Sequence, residues 1–578
     1  MPEQHTVSTD TYEVTYNVVT PMRDGTRLRA DIYLPKDQDG PLPTLVCRTP
    51  YNKSSKGGVP EYEGLVNAGY AVVAQDMRGR WASEGDWIPF FVPGWTDAED
   101  GYDTIEWAAE QTWSNGKVGT FGNSYRSWTQ WALAPTRPPH LEAMWAGGMG
   151  PRTTDLEVGG VLRTGRVIQL VFGFLATDTQ KWLEKPAGPV SVEWWENLHD
   201  TVNRDKWMWF LPYKDLPEEA LGGLGDYFKD WLANHQRETW RFDDDFPKID
   251  IPVFHRTGWY DRLVGAAKMF SGMQQNAASK TARANQRLIV GPWAHDNNNT
   301  GKWPEFDFGP AAEVPNTDLQ VNWFDYWLKG IDNGVMDGSA AQIFLMGANE
   351  WKSAQEWPPA EAQEVSWYLS SGTGANTPDG DGELTPEISE SPNPDRYTYD
   401  PRDPVMSVYG INTHDAPRDL RVMDHRRDIL VYQSAPLEEA VDVAGYPKVT
   451  LWASSDALDT DFIVRLVDVH PDGFAQNLCY GILRARFRDG LDSPKLLTPG
   501  ELYEFEIDML PTCNRFLPGH RIRLDVTSSD FPNFDRNHNT GGEDWAESDL
   551  RVARQTVFHD AVRPSRLTLP VMEGEWGS

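Results

Sequence analysis

The stretch that most constrains how this chain folds runs from Lys117 to Leu133. Lys-Val-Gly-Thr-Phe (117 to 121) reads as a short buried strand, Gly122-Asn123-Ser124-Tyr125 as a sharp turn, and Trp128 to Leu133 as a helix. A strand that turns through a central serine straight into a helix holds that hydroxyl exposed at the end of a parallel sheet, on a strained backbone. The Gly-X-Ser letters alone are a weak signal in a long chain; the strand and helix on either side make Ser124 a candidate nucleophile.

The surrounding pattern fits a parallel sheet. Leu28 to Leu34, Thr44 to Cys47 and Tyr70 to Gln75 read as strands, and Asp97 to Gln111 as an amphipathic helix with an acidic first turn. Alternating strands and helices imply a mainly parallel sheet covered on both faces. From about 151 to 249 the texture changes to Trp, Leu and charge without strand alternation, which reads as a helical cap. The α/β pattern resumes at Pro252 to Thr257, Arg287 to Val290 and the helix-like Asp318 to Lys329. Beyond about 355 a loop-like Gly, Pro, Ser and Asp stretch, Ser371 to Tyr397, leads into separate β-rich runs: Val449 to Ala453, Phe462 to Val469, Leu502 to Met509, Arg521 to Ser528 and Arg566 to Val571. Such runs between turn residues suit an antiparallel jelly roll. With 578 residues the chain is too long for a single core. The expected fold class is therefore α/β: a hydrolase-type core from 1–150 and 250–355, an inserted helical cap at 151–249, and an all-β jelly-roll sandwich at 356–578.

The balance of 53 basic and 86 acidic residues gives a formal charge of −33, which repels phosphate backbones and anionic lipid surfaces. Neither nucleic acid nor membrane is an expected partner, and no run approaches the ~20 apolar residues of a bilayer span. The N-terminal residues lack the basic, apolar and small-residue segments of a secretory signal. Cys47, Cys479 and Cys513 are odd in number and far apart, which argues against a disulfide framework and for a reducing, cytoplasmic setting. The histidines are scattered, with no HExxH or paired-Cys motif, so no metal and no cofactor is expected. A homo-oligomer is left open.

A serine hydroxyl needs an imidazole to take its proton and a carboxylate to orient that imidazole. In this fold the chain order is Ser, acid, His. Two histidines lie in the resumed α/β section. His255 sits inside the apolar run Pro-Val-Phe-His-Arg-Thr and reads as a packed core histidine. His295 follows Arg-Leu-Ile-Val-Gly-Pro-Trp in a loop at a strand's C-terminal end, where open α/β sheets keep their sites. Asp261 follows an apolar strand in the same way and is preferred as the acid over Asp296, whose side chain, next to His295, points away. Tyr125, directly after the nucleophile, supplies one backbone oxyanion donor. Tyr51, in the loop after the strand Thr44 to Cys47, reads either as a second donor through its phenol or as a packed aromatic.

The chain also resembles a known family, that of cocaine esterase and the Xaa-Pro dipeptidyl-peptidases, with the α-amino-acid ester hydrolases and glutaryl acylases as kin. The resemblance rests on RTPYNK (48 to 53), DMRGRWASEG (76 to 85), DAEDGYDTIEW (97 to 107), SNGKVGTFGNSY (114 to 125), GWYD (258 to 261), GPWAH (291 to 295) and LPGHRIRLDVTSSDFPNFDRN (517 to 537). It implies a triad of Ser124, Asp261 and His295, an oxyanion hole of Tyr51 hydroxyl and Tyr125 amide, and the same three-part architecture. One departure is Ser127, where the family elbow commonly has glycine. The cocaine-esterase branch is the nearer match, because Arg262 and Leu263 follow GWYD where the amino-acid ester hydrolases tend to carry acids that hold a substrate ammonium; Asp155 and Glu157 in the cap are other acids for that task. The expected activity is hydrolysis of a small carboxylic ester through an acyl-enzyme. The alternatives are amide hydrolysis, by Xaa-Pro dipeptide release or deacylation, with the same triad, and a ligand-binding protein with a vestigial core.

Overall fold

Seven strands that the sequence fills with apolar and β-branched residues form the parallel heart of the molecule, which we describe from a computed structural model covering residues 3–37, 39–55, 58–87, 96–153, 158–165, 204–217, 221, 224–234, 238–295, 300–389, 391, 393–409, 416–574 and 576. The strands of this first sheet are β1 (His5–Ser8), β2 (Tyr12–Pro21), β3 (Arg27–Pro35), β4 (Leu42–Thr49), β5 (Ala71–Asp76), β6 (Ser114–Asn123), β7 (Leu141–Gly147), β8 (Val253–Tyr260), β9 (Gln286–Ala294), β10 (Ala341–Leu345) and β11 (Glu350–Ala354). They lie in the order β1-β2-β3-β5-β4-β6-β7-β8-β9-β10-β11. From β5 to β10 every pairing is parallel, whereas β1, β2, β3 and β11 add antiparallel edges.

Burial on both faces explains why the central strands lack polar alternation: β5 and β8 are buried at every residue. Their side chains still alternate in direction. Leu45, Cys47, Val72 and Ala74 pack toward helices α1 (Val59–Asn67) and, later in the chain, Asn316–Phe324. Val46, Val73 and Val118 pack the other way, against Ile105 and Ala108 of α2 (Asp97–Ala109) and Leu133 of α3 (Tyr125–Leu133). The helix expected over Asp318 to Lys329 is α-helical to Phe324 and closes as a π-turn through Lys329.

Of the cap section, 166–203, together with Asp155 and Glu157, lies outside the described residues. What is described there is a helix at Gly225–Ala233, a short one at Arg204–Met208 and a 3-10 turn at Phe242–Lys248; its β-pairing, among the described residues, is an isolated bridge from Arg152 to Arg241.

The remainder is a β-rich domain whose strands, from Ala362–Ser370 to Arg566–Met572, form a second sheet system. The expected runs are strands, and they are joined by others that the composition hid, among them Ala475–Arg484 and Thr512–Phe516. One expectation needs correction: Ser371 to Tyr397 is not simply loop. Glu383–Thr385 pairs with Ala362–Ser370, and Asp395–Tyr399 pairs with Ala553–Phe558. Asp-Arg-Tyr-Thr-Tyr alternates buried and exposed residues, a period-2 signal that the neighbouring Gly and Pro obscured.

Strands β8 and β9 approach closely where Gly258 faces Trp293. A Cβ at Gly258 would lie 2.1 Å from the Trp293 carbonyl oxygen, and the register shifts between Gly258 and Tyr260. Both strands lead into the residues expected to do chemistry. Gly258→Ala is expected to cost about 1–3 kcal/mol of stability, the usual penalty of overpacking, and to lower turnover by displacing Asp261 from His295. Chemical denaturation paired with ester kinetics checks both effects; unchanged activity would show that this approach is not needed to place the pair.

Candidate active site

Four of the sequence-predicted chemical residues stand just past the C-terminal end of a parallel strand, Tyr51 after β4, Ser124 after β6, Asp261 after β8 and His295 after β9, and Tyr125 opens the helix that follows Ser124. The parallel order brings these ends to one edge of the sheet, the usual site of function in open α/β folds.

Ser124 has φ 61° and ψ −127°, outside the regions comfortable for a residue with a side chain. The turn is locked on either side. The Ser124 amide donates to the Gly147 carbonyl at 3.0 Å, and the amides of Ser127 and Trp128 donate to the Ser124 carbonyl at 2.8 and 2.9 Å. Gly122, at φ 146°, is required because a Cβ there would lie 2.4 Å from the Arg126 Cβ. Ser127, at the position of the expected glycine, is buried, and α3 still begins at Tyr125. The Tyr125 amide is thus in the first helical turn, where N–H groups have no intrahelical acceptor.

Asp261 and His295 meet directly. His295 Nδ1 lies 3.0 Å from Asp261 Oδ1 and 3.2 Å from Oδ2, and the Leu263 amide donates to Oδ1 at 2.8 Å. Asp261 is 2% exposed and His295 8%. Burial pushes the Asp261 carboxyl up, but the His295 imidazole, the Leu263 amide and the nearby Arg262 guanidinium together outweigh it and hold the group below the ordinary aspartate value. With Nδ1 held by a carboxylate, Nε2 is the ring's basic nitrogen. Asn123, next to the nucleophile, donates from Nδ2 to the His295 carbonyl at 3.4 Å. Gly147 and Gly148 make room for it, since a Cβ on either would lie within 2.7 Å of the Asn123 amide oxygen. Asp296 lies outside the described residues.

Tyr51 packs edge-on against Tyr125, with ring centroids 6.2 Å apart. Its loop is fixed by charges that sequence reasoning did not single out. Arg48 pairs with Asp97 at 2.8 Å, both buried, and Lys53 lies 3.3 Å from both Asp31 and Asp76. The Lys53 amide also donates to Asp76 at 2.8 Å, and the Pro50 carbonyl accepts from Arg80 and Trp81, each at 2.9 Å. Burial raises the Asp76 carboxyl to about 6 even beside Lys53. The signal was present in RTPYNK and DMRGRW, where polar residues sit within otherwise apolar strand ends.

His255 is a core residue, as its setting in the sequence suggests. Its Nε2 contacts Gln286 Oε1 at 2.9 Å and its ring stacks on Trp131 at 5.7 Å. Metal-type groupings were not foreseen, yet two come together in the β-rich domain: Asp468 with His470 and His520, and His538 with Asp544 and Glu547. The three cysteines are buried and free, and among the described residues no helix is long and apolar enough to cross a membrane.

The elbow, the carboxylate-bound imidazole and the parallel sheet define an α/β-hydrolase. Residues 24–297 match the X-Pro dipeptidyl-peptidase (S15 family) and residues 333–568 the X-Pro dipeptidyl-peptidase C-terminal non-catalytic domain. Over 97% of its length the chain is 36% identical to cocaine esterase from Rhodococcus sp. (strain MB1 Bresler), 99% of which is covered. Among solved structures it is similar to an aminopeptidase from a marine-sediment Thaumarchaeota archaeon (TM-score 0.80, 24% identity, 99% of each chain) and to an α-amino acid ester hydrolase (TM-score 0.75, 23% identity, 98% of each). The chain belongs to the cocaine esterase and Xaa-Pro dipeptidyl-peptidase family, and it is a serine hydrolase.

His255 provides a test that separates packing from chemistry. Burial lowers its pKa to about 4, against the Gln286 contact. As pH falls through about 6.5 the unfolded chain takes up a proton that the native core refuses. The stability this neutral ring supports is complete above that value and is lost as pH falls toward 4, by about 3 kcal/mol. His255→Gln is expected to flatten this part of the stability profile, measured by urea unfolding across the window, while ester turnover near neutral pH stays close to wild type. Loss of turnover in a folded variant would return His255 to the chemistry.

Proposed function

We propose that the chain hydrolyses small carboxylic esters by acyl transfer, with Ser124 as nucleophile, His295 as general base and acid, and Asp261 as the group that orients and stabilises the imidazole. The observation that carries this reading is the buried His295–Asp261 pair at the same sheet edge as the strained Ser124. Ser124 Oγ adds to the ester carbonyl as its proton passes to His295 Nε2. The carbonyl oxygen becomes an anion, stabilised by the Tyr125 amide and the Tyr51 hydroxyl. Collapse expels the alcohol, which takes the proton from Nε2 and leaves Ser124 acylated. Water, deprotonated by the same nitrogen, then releases the acid and restores the serine.

Ester rather than peptide substrates are supported by the similarity to cocaine esterase and by Arg262. A dipeptidyl-peptidase must hold its substrate's free ammonium, and Arg262 and Leu263, directly after Gly-Trp-Tyr-Asp, offer no carboxylate for it. Release of an Xaa-Pro dipeptide by the same triad is the reading that the family match keeps in view.

Ser124→Ala is expected to lower kcat/KM on p-nitrophenyl acetate and butyrate by about 10⁴-fold or more and to abolish the single adduct formed with a fluorophosphonate, seen by intact mass. An adduct that persists in Ser124→Ala would refute the assignment. A parallel panel of Xaa-Pro p-nitroanilides is expected to show negligible turnover; robust cleavage there would favour the peptidase reading.

Tyr51→Phe keeps the ring against Tyr125 and removes only the hydroxyl. If that hydroxyl donates to the oxyanion, kcat falls by about 10²-fold to 10³-fold with little change in KM. A variant as active as wild type would assign Tyr51 to packing.

A further inference from the structure

Far along the chain from the hydrolytic residues, the β-rich domain carries a buried histidine for which the chemistry above has no use. His538 is fully buried, and neither of its ring nitrogens has a hydrogen-bond partner among the described residues. A buried polar atom left unpaired is costly, so each such case calls for a ligand or a reason. Two carboxylates surround this ring. Glu547 Oε1 lies 3.9 Å from His538 Nδ1, and Asp544 is fixed beneath it by accepting the His538 amide at 2.8 Å. One ligand atom from each of the three side chains falls within 4.8 Å of the others.

The loop is shaped around these groups. Gly542 stands where a Cβ would lie 2.5 Å from Glu547 Oε2, so the absence of a side chain there leaves room for the carboxylate. Thr540 donates its hydroxyl to Glu547 Oε1. Asp544 also accepts from Arg484 at 2.7 Å, but that guanidinium is shared with Asp461, which it meets at 2.9 and 3.0 Å. Its charge is therefore divided between two acids.

We propose that His538, Asp544 and Glu547 form a binding site for a divalent transition-metal ion of the zinc type. One imidazole and two carboxylates are a ligand set suited to such an ion rather than to calcium or magnesium, which prefer oxygen alone. Bonds of about 2.0–2.2 Å in tetrahedral geometry need ligand atoms roughly 3.4 Å apart, so an ion would draw together a trio whose ligand atoms now lie within 4.8 Å of one another. The other grouping differs in its imidazoles. In Asp468, His470 and His520 a ring nitrogen of each histidine already has a partner, whereas both nitrogens of His538 lack one among the described residues: His520 Nδ1 meets Asp468 Oδ1 at 2.7 Å and His470 Nε2 meets Gln476 at 3.2 Å.

An ion here would act on structure. The same segment reaches the cap section, where the Lys214 amide donates to the Trp545 carbonyl at 3.1 Å and the Asp535 amide to the Leu162 carbonyl at 2.7 Å. Cross-linking positions 538 and 547 would hold those contacts together. It would not enter the hydrolytic step.

The test uses the full chain, freed of metal by chelator and dialysis and then titrated with zinc, with bound metal counted by mass spectrometry. Wild type is expected to bind one equivalent and to gain thermal stability as it does. Loss even of an outer partner of a metal ligand costs about 10–100-fold in affinity, so Glu547→Gln, at a partly exposed position that tolerates change, should weaken binding by more than about tenfold. His538→Leu should abolish it, and His520→Gln should leave it intact. Cobalt in place of zinc should give a visible d–d band in wild type that Glu547→Gln alters; this decides the matter even if His538→Leu fails to fold. No stoichiometric zinc in wild type, equal binding by wild type and Glu547→Gln, or loss confined to His520→Gln would each overturn the proposal.

Discussion

A carboxylate taken out of water must find compensation, and in this molecule the compensation for Asp261 is the imidazole of His295. Much of the core geometry serves that requirement. β8 and β9 run side by side so that both residues emerge at one edge. Gly258 allows the strands to close to backbone contact, and the shift in register beyond it turns Asp261 toward the ring. Asn123 then ties the His295 backbone to the serine turn. Ser124, Asp261 and His295 are thus brought to one edge of the sheet by the ends of neighbouring strands, with the Asn123 side chain as the tie between them.

A second constraint fixes the loop that carries Tyr51. Three charged side chains at its base, Arg48, Lys53 and Asp76, are buried. Such charges hold only if every partner stays in place, so the arrangement is all or nothing. The loop is thereby anchored to the antiparallel strand β3 and the parallel strand β5 at once, through Asp31 and Asp76. A phenol placed by this base has little freedom to move away from Tyr125.

Much of this was legible in the sequence, and the reasons differ by element. The strands before Ser124, Asp261 and His295 were clear because central parallel strands are short unbroken apolar runs, and the chain order of Ser, acid and His left few choices. His255 was separable from His295 because one lies inside such a run and the other just past its end. The β-rich domain was harder to read. Ala475–Arg484 carries Gln, Asn, Cys and Arg in a strand buried almost throughout, so its polar residues, which bond across the domain, disguise it. The ion pairs beneath Tyr51 and the trio around His538 were invisible for a related reason: their members are near one another only after folding, and spacing along the chain does not record which buried charges share a cavity. Ser127, where the family commonly has glycine, is buried, and α3 still begins at Tyr125.

Ser124 sits at φ 61°, where only glycine is at ease, and a side chain held there costs on the order of 1–3 kcal/mol. On the role proposed above for Ser124, the most stable version of this protein is therefore not the working one. Mutational drift that favours stability alone has a downhill step available at this residue, and taking it would leave a sturdier fold with an empty elbow. On the nucleophile role proposed above, the strain at Ser124 is a standing cost that the fold bears to hold one hydroxyl at the sheet edge.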